Sequence, residues 1–236
     1  MRIALFGYGQ MGHEIEAVAR EQGETIAEVF DEFRLPQIDA LGGVDMCIDF
    51  STPDSAFDNI RMAIQAKKDI IVGTTGWHKH LPELKNSVKD SGLLYSTNFS
   101  LGMNLFFRMV KRAAELMNRA GDYDPFVHEI HHRQKVDSPS GTALTLARIL
   151  IDGIDRKTEV LTRPPEGRIK PEMLHVSSTR AGTVAGTHTV AFESDADSIE
   201  LKHVAKTRRG FALGAMAAAR WLRGRKGIYT MDDVEL

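Results

Sequence analysis

The first dozen residues constrain the fold most. A short apolar run, Arg2–Phe6, breaks into Gly7-Tyr8-Gly9-Gln10-Met11-Gly12, and an amphipathic stretch follows at once. Three glycines at this spacing between a strand and a helix meet separate demands. Gly7 permits a tight turn, Gly9 lets the backbone approach a pyrophosphate, and Gly12 allows helix and strand to pack closely. The helix start adds N–H donors and a partial positive charge. A GxGxxG by itself is weak, because glycines also serve as plain turn residues. Here an acid, Asp31, follows the second apolar run Thr25–Phe30 at about the expected twenty-residue spacing. Its carboxylate can accept hydrogen bonds from an adenosine ribose, and the neighbouring Glu32 repels an added 2′-phosphate. Read as a strand-end charge instead, Asp31 would have no such role.

The alternation continues. Asp45–Phe50, Asp69–Gly73 and Leu93–Thr97 read as strands, while His13–Gln22 and Pro53–Lys67 read as helices with one apolar face. Strand–helix alternation predicts a parallel sheet covered on both faces. Gly73-Thr74-Thr75 and Ser96-Thr97-Asn98-Phe99 then end strands on the edge where such sheets bind ligands. Beyond Asn98 the rhythm changes. Leu105, Met109, Ala113, Leu116 and Met117 mark the apolar stripe of a longer helix ending near Gly121, and a second helix runs from Ser140-Gly141-Thr142 through Leu150. Arg163–Arg168 reads as a loop. Val176–Thr179, Thr187–Phe192 and Ser198–His203 predict an antiparallel or mixed sheet. An apolar helix, Phe211–Leu222, returns near the end with Gly224 as its stop and suits packing on the first domain. The fold class is α/β: a Rossmann-like domain plus an α+β domain with an open mixed sheet.

Composition narrows the function. The 236 residues suffice for one large or two modest domains, and 42% hydrophobic with 26% charged residues is ordinary for a soluble protein. A net charge of −2 gives no global basic field for nucleic acid or an anionic membrane. The single cysteine, Cys47, excludes an intrachain disulfide and a Cys-rich zinc site, and its apolar run predicts burial. No apolar run approaches ~18 residues and the N-terminal run is too short for a signal peptide, so a cytoplasmic protein is expected.

The densest chemistry lies between Glu129 and Ala143. His131, His132, Arg133 and Lys135 fall within five residues, followed by a Ser-Gly-Thr helix entrance. An extended chain would put His131, Arg133 and Lys135 on one face, and a tight turn would still let His131 and Lys135 converge. The set suits a small substrate with several carboxylates. Lys135 and the N–H groups of Gly141 and Thr142 can hold carboxylate oxygens, and a histidine can donate a proton. Glu129 and Asp137 beside two histidines raise a metal site, but adjacent histidines lack a helical HExxH spacing and the nearby cations repel an ion. No metal is expected. Arg208-Arg209 is either a second cationic contribution to the site or a solvated pair.

The segment His131-His132-x-x-Lys135-x-Asp137-x-Pro139-Ser140-Gly141-Thr142-Ala143 resembles the signature of the dihydrodipicolinate reductase family, E-x-H-H-x-x-K-x-D-A-P-S-G-T-A. Gly73–Thr75, Asn98–Ser100, Arg180–Gly182 and the final Gly227–Val234 occur in family order. The resemblance implies a dinucleotide-binding domain of residues 1–98 and 209–236, and a substrate-binding and tetramerisation domain of residues 99–208. It implies reduction of 4-hydroxy-tetrahydrodipicolinate by NADH or NADPH in the diaminopimelate route to lysine. By position, His131 matches the proton donor, Lys135 the second donor and substrate holder, His132 a substrate contact, and Gly141 and Thr142 the carboxylate-binding backbone. Gly7–Gly12, Asp31, Gly73–Thr75 and Ser96–Phe99 match cofactor contacts. The chain departs from the family in a glycine loop one residue shorter, with Gln10 for its arginine, in Glu32 where many members carry arginine, and in Ser138 for alanine. The first two remove positive charge near a ribose phosphate, so NADH is the expected preference. Other readings of the same residues are another amino-acid-pathway Rossmann dehydrogenase, such as a homoserine or aspartate dehydrogenase, and a non-catalytic nucleotide sensor. The His-His-x-x-Lys segment argues against both.

Overall fold

A computed structural model describes residues 1–235. Its elements begin β1 (Arg2–Phe6), α1 (Gln10–Glu21), β2 (Thr25–Phe30), β3 (Met46–Asp49), α2 (Pro53–Gln65), β4 (Asp69–Val72), α3 (Leu81–Leu84), β5 (Gly92–Tyr95) and α4 (Leu101–Asn118). They continue β6 (Asp124–His131), α5 (Gly141–Gly153), β7 (Glu159–Leu161), β8 (Met173–Arg180), β9 (Thr187–Glu193), β10 (Ser198–Val204), α6 (Arg209–Leu222) and β11 (Gly227–Tyr229). The chain divides into two compact units, Met1–Asn104 with the segment from Arg208 on, and Leu105–Thr207.

The first unit is built on a six-stranded sheet in the order β11-β5-β4-β3-β1-β2, every pair parallel. Alternate residues of each strand serve opposite faces. Ile3, Leu5, Met46, Ile48, Ile71 and Leu94 pack with Ile15 and Val18 of α1 and Met216 of α6. Ala4, Phe6, Cys47, Ile70, Val72 and Leu93 pack with Ala56, Ile60 and Ala63 of α2. Burial on both faces is why these strands read as continuous apolar runs. Cys47 is buried as expected, and burial pushes its thiol pKa well up. The chain passes from β1 to β2 on one side and to β3 on the other, so the topological switch point lies between β1 and β3. A capping box between Thr52 and Ser55, with Pro53 in the first turn, starts α2 there. On the opposite face α6 lies so close to the loop after β5 that a Cβ on Gly214 would stand 1.7 Å from the Phe99 carbonyl oxygen.

The second unit holds a five-stranded mixed sheet in the order β10-β9-β6-β8-β7. Its middle strand, β6, runs antiparallel to β9 and parallel to β8. The sequence pattern did not mark β6, because its buried positions are Pro125, Val127, Glu129 and His131. A strand that turns a carboxylate and an imidazole inward shows no apolar alternation. Helix α5 packs across β6, β7 and β8 on that buried face.

Helix α4 corrects the sequence reading. Leu105, Met109 and Leu116 are 41%, 53% and 53% exposed, whereas Met103, Phe106, Val110 and Ala114 are buried. The chain carries two apolar stripes at helical spacing, and periodicity alone does not say which one turns inward. No helix among the described residues is long and apolar enough to cross a membrane.

Candidate functional site

The glycine loop stands at the switch point. Gly7 has φ +91°, and a Cβ there would lie 2.4 Å from the Phe50 carbonyl oxygen, while one on Gly12 would lie 2.6 Å from the Gly7 oxygen. Both glycines therefore answer to packing. Gly9 differs: a Cβ would meet nothing within 4 Å, so its missing side chain leaves open space in front of the helix. Gly9 is also the N-cap of α1 and no side chain caps it, so the first-turn N–H groups and the helix dipole face that space.

Two cavities flank this point. One of about 420 Å³ is lined by Gly9, Gln10, Met11, Phe50, Ser51, Gly73, Thr74, Thr75 and Arg208. The other, of about 540 Å³, runs from Gly7, Tyr8 and Gly9 past Asp31, Glu32 and Phe33 to Ser51, Thr52, Ser55 and Asn59. A wider groove of about 750 Å³ between Pro36, Phe57, Arg61 and Glu83 contains none of the glycine-loop residues. Open backbone at Gly9, an uncapped helix start, a cation at Arg208 and an acid at Asp31 fit a dinucleotide along the first two cavities. Asp31 is fixed at the rim, since its Oδ1 accepts from the N–H groups of Phe33 and Arg34, both at 2.9 Å. Tyr8 is fixed too, its hydroxyl donating to Glu16 of α1.

Beneath the loops sits a group that the sequence reading missed. Asp49, at the end of β3, is fully buried and accepts hydrogen bonds from Thr74 Oγ1 (2.5 Å), Asn59 Nδ2 (2.8 Å) and Ser51 Oγ (3.0 Å). Burial pushes its carboxyl pKa up, against the pull of those donors. It ties the Gly73–Thr75 loop to the one after β3. The loop after β5 is held by its own bonds: Ser96 Oγ accepts from Asn98 N–H (3.1 Å), and Asn104 Nδ2 donates to the Asn98 oxygen (3.0 Å). The Phe99 ring is buried in the core and meets Phe50 edge-on, so only backbone at Phe99 is offered to a ligand. Arg209 pairs with Glu21 of α1, which separates its role from that of Arg208.

In the second unit, His131 ends β6 and the chain turns at once, with Lys135 N–H donating to the His132 oxygen (3.1 Å). The turn, rather than an extended strand, brings Lys135 back toward His131, close enough for its charge to depress the imidazole pKa. Lys135 Nζ lies 2.7 Å from Asp137 Oδ1. That ammonium, with help from the backbone at Gly141, holds the Asp137 carboxyl below its ordinary range. The cation and helix entrance expected to hold a carboxylate already hold one. A Cβ on Gly141 would meet nothing within 4 Å, so the start of α5 is open. His132 is half-buried beside this turn, and Thr142 stands in the first turn of α5.

Glu129 is the centre of the buried face. Its Oε1 accepts from Ser140 N–H (2.9 Å), Ser178 Oγ (2.9 Å) and Arg180 Nη2 (2.8 Å). Its Oε2 accepts from Ser140 Oγ and faces His131 Nδ1 (3.3 Å) and His188 Nε2 (3.4 Å). Burial opposes the ionised form, but the bonds from His188, Ser140 and Arg180 outweigh it and hold the carboxyl well below the usual range. His131 goes the other way: burial, offset in part by Glu129, lowers its pKa to about 4. Glu129, His131 and His188 place ligand-type atoms within 4.8 Å of one another. The Arg180 guanidinium already supplies the positive charge at that carboxylate, so the donor set suits an ion-pair hub better than a metal ion. His188 and Arg180 were invisible as site residues because sheet pairing, not chain proximity, brings them to Glu129.

A parallel sheet with a glycine loop at its switch point, in one chain with a mixed sheet bearing a His-Glu-Arg cluster, defines a two-unit Rossmann-type oxidoreductase class. Residues 1–99 match the family model described as "Dihydrodipicolinate reductase, N-terminus", and residues 102–234 the one described as "Dihydrodipicolinate reductase, C-terminus". The chain belongs to the dihydrodipicolinate reductase family. It is 40% identical to the 4-hydroxy-tetrahydrodipicolinate reductase of Christiangramia forsetii, over 99% of this chain and 97% of that one. With the protein of the same name from Aquifex aeolicus it shares 40% identity over 93% and 82% of the two chains. The fold is that of a dipicolinate-bound dihydrodipicolinate reductase from Paenisporosarcina sp. TG-14, with a TM-score of 0.79, 20% identity and 98% and 97% of the two chains covered.

Proposed function

We propose that this chain reduces 4-hydroxy-tetrahydrodipicolinate with a nicotinamide cofactor, giving tetrahydrodipicolinate, the oxidised cofactor and water with uptake of one proton. NADH or NADPH supplies the hydride when bound. The unit containing the glycine loop holds the nucleotide, and the unit containing β6 holds the substrate. One observation carries the reading: Lys135 and the start of α5 grip a carboxylate of the chain itself, Asp137, and a substrate carboxylate offers them the same partner. The full-length family match supports the same reaction.

In this reading Gly141 and Thr142 bind one substrate carboxylate through their N–H groups, and His132 contacts the substrate. Lys135 displaces Asp137 in favour of the substrate and serves as a second proton source. His131 gives the proton that completes reduction. Its lowered pKa leaves it neutral at pH 7 before substrate arrives. A substrate bearing two negative charges favours the cation, so binding itself loads the donor. Gly7–Gly12, Asp31, Gly73–Thr75 and Ser96–Phe99 hold the cofactor. Asp31 and Glu32 at the rim of the adenosine-side cavity support NADH over NADPH. Arg34 is engaged with Glu28 (2.5 Å) and so is not free to offset that acidic pair. A homotetramer in the cytoplasm completes the proposal. Mixing the protein with NADH and freshly condensed substrate should consume absorbance of the reduced cofactor. No consumption with either NADH or NADPH would sink the assignment.

A further inference from the structure

We infer that Glu129 is the positioning residue of this site: it turns Nδ1–H of His131 inward, leaves Nε2 as the atom that takes up and passes on the transferred proton, and keeps the α5 entrance in register with that ring. The inference rests on His131 being the proton donor proposed above.

A carboxylate at the centre of a sheet core is a poor device for stability alone, since desolvation offsets most of what its ion pair contributes. Glu129 nevertheless occupies the middle strand with no exposed surface. Each element packed against it contributes a group: Ser178 and Arg180 from β8, His188 from β9, Ser140 from the start of α5, and His131 from its own strand. Lys135 acts on His131 from the turn that follows. Two consequences follow from these contacts.

The first concerns the ring. His131 Nδ1 is a buried atom with no hydrogen-bond partner within standard geometry, yet it lies 3.3 Å from Glu129 Oε2. A small closure makes that a hydrogen bond, with the proton on Nδ1. Nε2 points instead toward Gly186, where a Cβ would come within 3.0 Å of it. Glycine at that position keeps Nε2 uncovered, free to take up a proton and pass it on. The second concerns the helix. Ser140 Oγ donates to Glu129 and also accepts from Ala143 N–H (3.2 Å). That bond satisfies the cap at Ala143, while the backbone at Gly141 ahead of it serves the Asp137 carboxylate at the entrance. One carboxylate thereby sets the distance between proton donor and carboxylate cradle.

Glu129→Gln preserves size and removes the charge. Its kcat should fall on the order of 10–10²-fold, as for loss of a group that orients a functional imidazole. The limb of kcat/KM that reports protonated His131 should move to lower pH, because the compensating charge is gone. NADH affinity, measured by fluorescence titration without substrate, should not change. Nitrogen NMR of histidine-labelled wild-type protein gives an independent reading that needs no variant: the neutral His131 ring should carry its proton on Nδ1. A folded Gln variant with wild-type kcat and an unshifted limb would overturn the inference, and so would an Nε2–H tautomer. Should the Gln variant not fold, the tautomer alone decides. A wild-type protein inert toward the substrate defeats the proposed function instead, whatever the tautomer shows.

Discussion

Lys135 holds the Asp137 carboxylate at 2.7 Å and depresses the pKa of His131, so its removal strips the turn of the proposed substrate holder and of a charge beside the proposed proton donor. Lys135→Ala should lower kcat/KM by about 10²–10⁴, the range for a positioned proton-transfer group; near wild-type kinetics would take Lys135 out of the site. His131 and Glu129 also set an acid limit on stability. The native His131 pKa lies at about 4, below its ordinary 6.5, so between these values the unfolded chain binds a proton that the native state refuses. Stability should therefore decline as the pH falls through that window. Glu129, also depressed, adds stability above the ordinary carboxylate range that is lost as the pH falls below it. Melting temperatures should hold at neutral pH and drop steadily toward pH 4, and His131→Gln should flatten the upper part of that decline. In the other unit, Glu32 lies exposed beside Asp31 at the cavity rim. Glu32→Arg should shift the kcat/KM ratio toward NADPH, and added salt should shrink the gain, since an exposed charge is screened within about 10 Å at 0.1 M. A ratio that ignores both would show that this acid does not read the ribose.

At the scale of elements, the entrance to α5 joins fold and site. Ser140 caps the helix through Ala143 N–H and gives both its N–H and its hydroxyl to Glu129. Ser140→Ala removes a cap and leaves a buried carboxylate short of a donor, a combined loss of roughly 1–3 kcal/mol. Urea unfolding should show it as a lower midpoint with an unchanged slope. The same helix start was readable beforehand from Ser140-Gly141-Thr142, as was the glycine loop before α1, because caps and tight turns are local chemistry. Other features were not readable: α3, β7 and β11 are too short to show a period, β6 was not marked as a strand, and α4 was legible as a helix but not by its inward face. Strand β6 hides its period behind Glu129 and His131, and α4 offers two apolar stripes of which only Met103, Phe106, Val110 and Ala114 turn inward.

For the whole molecule, Phe126, His128 and Ile130 of β6 are half-buried on the face opposite the one that α5 covers, and no helix packs broadly on that face among the described residues. The outer stripe of α4 and the edge strand β10, with Ile199 at 41% exposed, add apolar surface. Open faces and edges of this kind are a liability in a monomer, which supports the proposed tetramer. Ile130→Glu should therefore lower the mass in sedimentation equilibrium while leaving the circular dichroism of the fold intact; an unchanged mass would place the subunit contacts elsewhere. What the linear chain settled by itself was local: the glycine turn that needs φ > 0 at Gly7, the acid after the second strand, the strand–helix alternation of the first hundred residues, and the His131–Lys135 segment with its helix entrance. These depend on neighbours a few residues apart, and a one-dimensional pattern records them. Asp49 under the loops after β3 and β4, Arg208 beside the first helix, and the convergence of Arg180 and His188 on Glu129 depend on sheet register and chain return. Partners fifty residues distant meet only when strands pair, and no local spacing carries that information.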